Sequence, residues 1–362
     1  MIATNDVVPF AATHPGEILG AELDARGIKQ REFADAIGVG YSHLNEFIKG
    51  KRQLSADLAL KFEKELGIPS DSWMRLQSNY ELNLARIKER DEKEREAASI
   101  LSLFAKIVDL NTIRKRYEIQ DTQPSVFLQW FKESFHVETP SDLSIMMAGL
   151  FRVSSRVNTD ELMARTWVLI ARETASRTSV AGSYQPDKNS AIVEELAKIL
   201  HRNNDTIVST THYLSENGIR FCIVPKVANA AIDGYSEIID GIPTIVLTKR
   251  FDRIDNFAFS LMHEIGHIIL HLSTGEYNGC LTFEDRGENK EEKEADIFAS
   301  SHLIPDRLWK GAPESRPLPA IVQRKYSEWA IQNHLNKWIV LGRVSYEFGI
   351  WAFRRDESSR IN

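Results

Sequence analysis

His263, Glu264 and His267 stand at a spacing that can hold a metal ion and put it to use. On an α-helix, residues four apart lie about 40° apart around the axis and one turn along it, so both imidazoles can reach one ion while Glu264 flanks them. Neutral imidazoles are ligands for Zn²⁺, an open coordination position admits water, and a neighbouring carboxylate can take that water's proton. A site kept only to hold zinc has no use for Glu264. A closed structural site needs four protein ligands, and the sequence offers no convincing fourth. The chemistry implied is zinc-assisted hydrolysis with Glu264 as the base.

Such a centre needs a third protein ligand. The pattern H-E-x-x-H-x-x-G-x-x-H is excluded, because Leu270 and Ser273 occupy its last two required positions. His271 lies about 80° around and about 12 Å along from His263, which suits a place behind the ligands or at the helix end. A second helix is expected over residues 291–302, ended by Pro305. On its wheel Ala295, Phe298, Ala299 and His302 form the inward face, Glu292 borders it, and Glu294 lies farther round. Glu292 and Asp296 are four apart, the spacing by which gluzincins supply a metal ligand and an aspartate that orients a ligand histidine. Glu292 is therefore the expected third ligand, with Glu294 as the alternative and Glu291 behind both. Arg343, Tyr235 and His302 are the candidates for stabilising the oxyanion of peptide hydrolysis.

The elements that must position these groups follow from the chain around them. Residues 219–224 form a short β-branched and aromatic run. Residues 237–240 and 244–247, joined across Gly241-Ile242-Pro243, are expected as two strands with a tight turn. Strands directly before the histidine helix provide a sheet edge on which a substrate backbone can add as a further strand. Gly266, unfavourable inside a helix by about 1 kcal/mol, is expected where the sheet presses on that helix. Near the end, residues 320–335 are expected as a helix and residues 338–346 and 349–353 as strands of a closing hairpin.

A different chemistry is encoded near the start. Helices are expected over residues 15–26, 30–37 and 41–49, with a turn at Gly38-Val39-Gly40. Ala34, Gly38, Leu44 and Phe47 fall where a helix-turn-helix needs close approach, a turn and a buried face. Gln30, Tyr41, Ser42, His43 and Asn45 would then face the major groove, and Lys49, Lys51 and Arg52 the phosphates. Residues 14–52 hold six Lys or Arg and six Asp or Glu. Charge alone therefore promises modest affinity, and a homodimer on a palindromic double-stranded operator is the expected remedy.

A net charge of −6 excludes a global pull towards nucleic acid, so any such binding must come from that local face. Two cysteines, Cys222 and Cys280, give no C-x-x-C spacing and fit a reducing compartment. With no signal-like start and no apolar run long enough for a bilayer, a cytoplasmic protein without a membrane partner is expected. Ten of the eleven residues 86–96 are charged with mixed sign, the pattern of a solvated helical connector. Residues 97–185 carry helical periodicity, with Trp130 and Trp167 as core anchors and Thr159 as a cap. The division expected is 1–85 for the helix-turn-helix, 86–185 for the charged linker and helical connecting region, and 186–362 for an α+β domain.

Two resemblances accompany these patterns. The segment from His14 to Leu19, the turn at Gly38, Gly50-Lys51-Arg52, and Trp73 with the residues after it are similar to the HigA-type branch of the XRE-family helix-turn-helix regulators. Residues 262–271, 292–299 and 303–305 resemble the ImmA/IrrE family of metallopeptidases, from which the chain departs at Ser301-His302. Residues 149–154 with Trp167, and the tail including Gly342-Arg343, are similar to proteins that fuse the two. The resemblance implies a multidomain protein: an all-α DNA-binding domain, a helical connector, and a gluzincin-like α+β zincin that cleaves a regulatory protein, such as a repressor or antitoxin-like partner. The alternative is a transcription factor or antitoxin that uses the peptidase fold as a sensor or partner-binding module without turnover. A third course is self-cleavage in the charged connector that inactivates the repressor.

Overall fold

The computed structural model describes residues 8–120, 122–150, 160–249, 252–274, 279–283, 289–313 and 319–362. Residues 151–154 and the expected cap Thr159 lie outside this set. The chain divides into two units, Met1–Ser99 with Gln123–Val126, and Ile100–Thr122 with Phe127–Asn362. No helix among the described residues is long and apolar enough to cross a membrane.

The first unit is helical. α1 (Pro15–Ala25) starts at His14, whose ring accepts a hydrogen bond from the Gly16 N–H while Glu17 accepts one from the His14 N–H, so the free amides at the helix start are satisfied reciprocally. α2 (Gln30–Ala36) and α3 (Tyr41–Ile48) flank the turn at Gly38. α4 (Ala56–Leu66) begins at Ser55, whose hydroxyl caps it, and α5 (Ser70–Phe104) follows. Leu19, Leu23, Phe33, Ala34, Leu44, Phe47, Phe62 and Trp73 make the core. The Phe62 ring is its centre, 5.4–5.8 Å from the rings of Phe33, Phe47 and Trp73. These four rings come from α2, α3, α4 and α5 and, with Leu19 and Leu23 of α1, fix the α2–α3 pair without help from its exposed face.

The second unit opens with α6 (Leu110–Arg116), most of α7 (Pro124–Phe135), α8 (Pro140–Leu150) and α9 (Glu161–Ser176). After α10 (Asn189–Arg202) and α11 (Thr206–Glu216) come β1 (Arg220–Pro225), β2 (Ile232–Ile239) and β3 (Ile242–Lys249). Asp240 and Gly241 both take left-handed conformations between β2 and β3, the two-residue turn whose twist suits a hairpin. α12 (Ile254–Leu270) carries the two histidines, β4 (Gly279–Phe283) follows it, and α13 (Lys290–Leu303) carries Glu292. α14 (Asp306–Trp309), α15 (Pro319–Gln332) and α16 (Lys337–Phe348) complete the unit.

The sheet order is β1-β3-β2-β4, with β1 parallel to β3 and β2 antiparallel to both its neighbours. Successive strand residues point to opposite faces. On β2, Gly234 and Ser236 face α12, whereas Tyr235 and Glu237 face α9, whose Arg172 pairs with Glu237. Both faces are thus covered, and β2 is buried almost throughout. α12 is packed on nearly every side, and its apolar residues Ile254, Leu261, Ile265 and Ile268 anchor the core of the unit.

Two expectations need correction here. The closing hairpin is absent: residues 338–346 belong to α16, whose start is capped by Asn336 and whose end is marked by Gly349 in a left-handed conformation. Residues 349–353 are not a strand either. The run Trp338-Ile339-Val340-Leu341 is buried against α12 and α15, and a continuous apolar run does not by itself distinguish a strand from a buried helix. Gly266 faces α13 and not the sheet: a Cβ there would lie 3.1 Å from the Phe298 ring and 3.3 Å from Ala295 Cα. Its small size lets α12 and α13 approach closely enough to share a site.

Candidate metal centre and recognition helix

α12 and α13 bring His263, His267 and Glu292 together in the core of the second unit. The two Nε2 atoms are 3.0 Å apart, with Glu292 carboxylate oxygens 3.3 Å from that of His263 and 3.2 Å from that of His267. Both histidines are fully buried, and Glu292 nearly so. Two imidazole nitrogens and a carboxylate whose ligand atoms all lie within 4.8 Å of one another fit a zinc ion in chemistry and in spacing.

Each ring is also held from behind. His263 Nδ1 lies 2.8 Å from Asp296 Oδ1, and His267 Nδ1 lies 3.0 Å from His271 Nδ1, whose other nitrogen is 3.1 Å from Glu294 Oε2. Glu294 is half-exposed, pairs with Lys290 and His271, and is not among the donors that converge with His263 and His267. Glu291 does not belong to the cluster.

Charge in this pocket is set by burial against local partners. Burial disfavours a charged His263, but the hydrogen bonds to Asp296 and Glu292 and the field of Glu264 outweigh it and push the ring up to about 9. Burial likewise opposes charge on Glu292, yet the hydrogen bonds of His263 and His267 hold its carboxyl down at about 2. Metal binding needs the imidazoles neutral, so it would release any proton the His263 ring carries. Glu264 is fully buried, and burial pushes its carboxyl up against the pull of His267, His263 and the Ser236 hydroxyl.

Ser236 and Gly234 also shape the site, although neither stands in a recognisable motif. The Ser236 hydroxyl donates to Glu264 Oε2, while Oε1 has no hydrogen-bond partner among the described residues. A side chain at Gly234 would run into Glu264. The alternation of small Gly234 and Ser236 with large Tyr235 and Glu237 was the available signal: small residues mark the strand face on which a helix presses.

The three expected oxyanion partners are not brought to Glu264. Tyr235 lies on the opposite face of β2, fully buried, its hydroxyl donating to Glu237 beside Arg172. Arg343 gives its guanidinium to the carbonyls of Ser300 and Ile304 at the end of α13 and to Glu347, and stacks 4.4 Å from the Trp309 ring. His302 is exposed and bonds the Phe298 carbonyl, in a groove shared with α10 residues such as Glu194 and Lys198.

In the first unit, Tyr41, Ser42 and His43 are exposed at the start of α3, Asn45 and Gln30 are half-buried, and Lys49, Lys51 and Arg52 are exposed. Arg31 lies over the Tyr41 ring at 6.0 Å. Arg52 is paired with Glu46 at 2.6 Å, so part of the positive charge at the end of α3 is already neutralised.

Comparison with known proteins matches a helix-turn-helix family over residues 19–73 and the IrrE N-terminal-like domain over residues 215–317. The chain is 35% identical over 100 residues to virulence-associated protein I of Dichelobacter nodosus, covering 27% of this chain and 90% of that one. It is 31% identical over 68 residues to the uncharacterized HTH-type transcriptional regulator YddM of Escherichia coli K12, covering 19% of this chain and 72% of that one. Among solved structures, the antitoxin HigA of Pseudomonas aeruginosa with the higBA promoter is 32% identical, covering 24% of this chain and 94% of that one, with a TM-score of 0.22. The chain belongs to the XRE-type helix-turn-helix regulators and joins that domain to an IrrE-like peptidase-family domain.

Proposed function

We propose that this chain is a DNA-binding regulator carrying a zinc-dependent endopeptidase that cleaves a regulatory protein of repressor or antitoxin-like kind. The observation that carries the proposal is the buried convergence of His263, His267 and Glu292 beside Glu264, a carboxylate that is not itself part of the donor set. Zn²⁺ held by those three side chains would supply Lewis acidity to a water and to a peptide carbonyl.

The chain's own residues do the rest. Glu264 takes the water's proton and hands it to the leaving nitrogen, while the Ser236 hydroxyl holds Oε2. The raised pKa of Glu264 suits a group that must hold a proton between those two steps. Asp296 and His271 fix the orientation of the His263 and His267 rings. A protein substrate would be selected by docking, and Tyr41, Ser42, His43 and Asn45 would read base edges with Lys49 and Lys51 on phosphates, as a homodimer on a palindromic operator in the cytoplasm.

The test is to express the wild type or Glu264→Gln together with the proteins encoded beside it, and to search by mass spectrometry for new termini. A cut that needs zinc and appears only with the wild type is expected; the same cut with both forms would sink the proposed role of Glu264. One observation favours a second reading: His263, Glu264 and His267 are all fully buried, which suits a metal sensor that never turns over. That alternative predicts no cut with either form and zinc-dependent operator binding with both.

A further inference from the structure

The His267 imidazole has a neighbour at each nitrogen. Its Nε2 faces His263 and Glu292; its Nδ1 lies 3.0 Å from Nδ1 of His271. Cys280 completes a second cluster on that side. Ligand atoms of His267, His271 and Cys280 all fall within 4.8 Å of one another, and all three residues are buried.

The fold produces this convergence from two elements. His267 and His271 are one turn apart at the end of α12, and Cys280 on β4 stands opposite Ser236 of β2 in the antiparallel register, hence on the sheet face that meets α12. His271 is oriented from behind by Glu294, the carboxylate–histidine arrangement that commonly supports metal-bound imidazoles. Two imidazoles and a thiolate suit zinc and softer ions such as copper(I), and are poor ligands for magnesium or calcium. The other cysteine, Cys222, bonds Thr178 and belongs to neither cluster.

We propose that His267, His271 and Cys280 form a second, thiolate-containing site for a borderline or soft metal ion, zinc foremost, and that it shares His267 with the first. Binding displaces two protons, that of the Cys280 thiol and the one held between the two Nδ1 atoms, and forms one sulfur and two nitrogen bonds to the ion without electron transfer. With both sites filled, the His267 ring would serve one through Nε2 and the other through Nδ1. Each ion sets the ligand strength of the shared ring for the other, so occupancy of the thiolate site tunes the site beside Glu264.

The test uses the full chain, stripped of metal under reducing conditions and titrated with Co²⁺ and with Zn²⁺. Two ions per chain are expected by native mass spectrometry, with a near-ultraviolet thiolate-to-cobalt charge-transfer band. Cys280→Ser should lose the band and one ion, Cys222→Ser should keep both, and Glu292→Gln should keep the band while losing the other ion. Should Cys280→Ser fail to fold, X-ray absorption of the zinc-loaded wild type decides, since a sulfur scatterer is expected at about 2.3 Å. One ion per chain, with no charge-transfer band or no sulfur scatterer, overturns the proposal. Loss of cleavage in Glu264→Gln bears on the peptidase reading alone, because no step of this test depends on proteolysis.

Discussion

The recognition helix of the first unit and the histidine helix of the second are built by opposite rules. α3 buries Leu44 and Phe47 completely and leaves Tyr41, Ser42 and His43 in solvent, so its fold and its binding face are chemically separate. α12 buries His263, Glu264 and His267 together with Ile265 and Ile268. There the polar groups are part of the core, and each must find a partner or leave an uncompensated cost. A surface reader can change its residues without losing its fold; a buried centre couples chemistry to packing.

The largest expected effect is at the ligands of the His263–His267–Glu292 site. Glu292→Gln should weaken zinc binding by more than about 100-fold, since groups behind the ligands alone are commonly worth 10–100-fold; isothermal titration measures it, and unchanged affinity would remove Glu292 from the site. Next comes Gly234→Ala, whose added methyl meets Glu264. It should lower cleavage by on the order of 100-fold while zinc content stays at the wild-type level, because only the general base is displaced.

The same logic inverts in the first unit. Phe47→Ala should destabilise that unit by about 3–5 kcal/mol in denaturant unfolding, whereas Ser42→Ala should change stability by less than about 0.5 kcal/mol. Ser42→Ala should nonetheless weaken operator binding by about 1–3 kcal/mol in a titration at fixed salt. A loss of stability equal to that of Phe47→Ala would break the contrast between the two helices.

The smallest expected effect concerns a carboxylate at the surface. Asp356 is held at about 2 by hydrogen bonds from Lys337 and Ser358, with Trp338 adding to them. A depressed carboxylate contributes stability above its unfolded pKa of about 4, and that contribution is lost as pH falls through about 2. Asp356→Asn should therefore flatten the unfolding profile between about pH 4 and 2, and an unchanged slope would contradict the assignment.

Legibility in the sequence followed the same divide. The first unit was readable because its helices carry local signals: Pro15 at a helix start, the Gly38 turn, and Ala34, Leu44 and Phe47 at fixed offsets. The histidine pair was readable because its spacing is itself the chemistry. What lay between elements was not. Tyr235 was misassigned because the face a residue takes on β2 depends on register, and one position reverses it. β4 went unseen because five residues carry too little periodicity, although Cys280-Leu281-Thr282-Phe283 has strand-favouring composition. The tail helix α16 reads as strands in the sequence because burial on several sides erases the polar face that would show a helical period. Glu292 stands at the border of the inward face on a wheel, and the close approach of α12 and α13 at Gly266 is a packing fact no wheel shows.

The most direct measurement sets metal content beside cleavage. Wild type and Glu264→Gln, stripped and reconstituted side by side, are assayed for zinc per chain and for cutting of the partner protein identified in cells. Equal zinc in both with cleavage by the wild type alone is the predicted result. Equal cleavage by both forms, or a wild type that retains no zinc, would contradict a buried His263–His267–Glu292 centre served by Glu264.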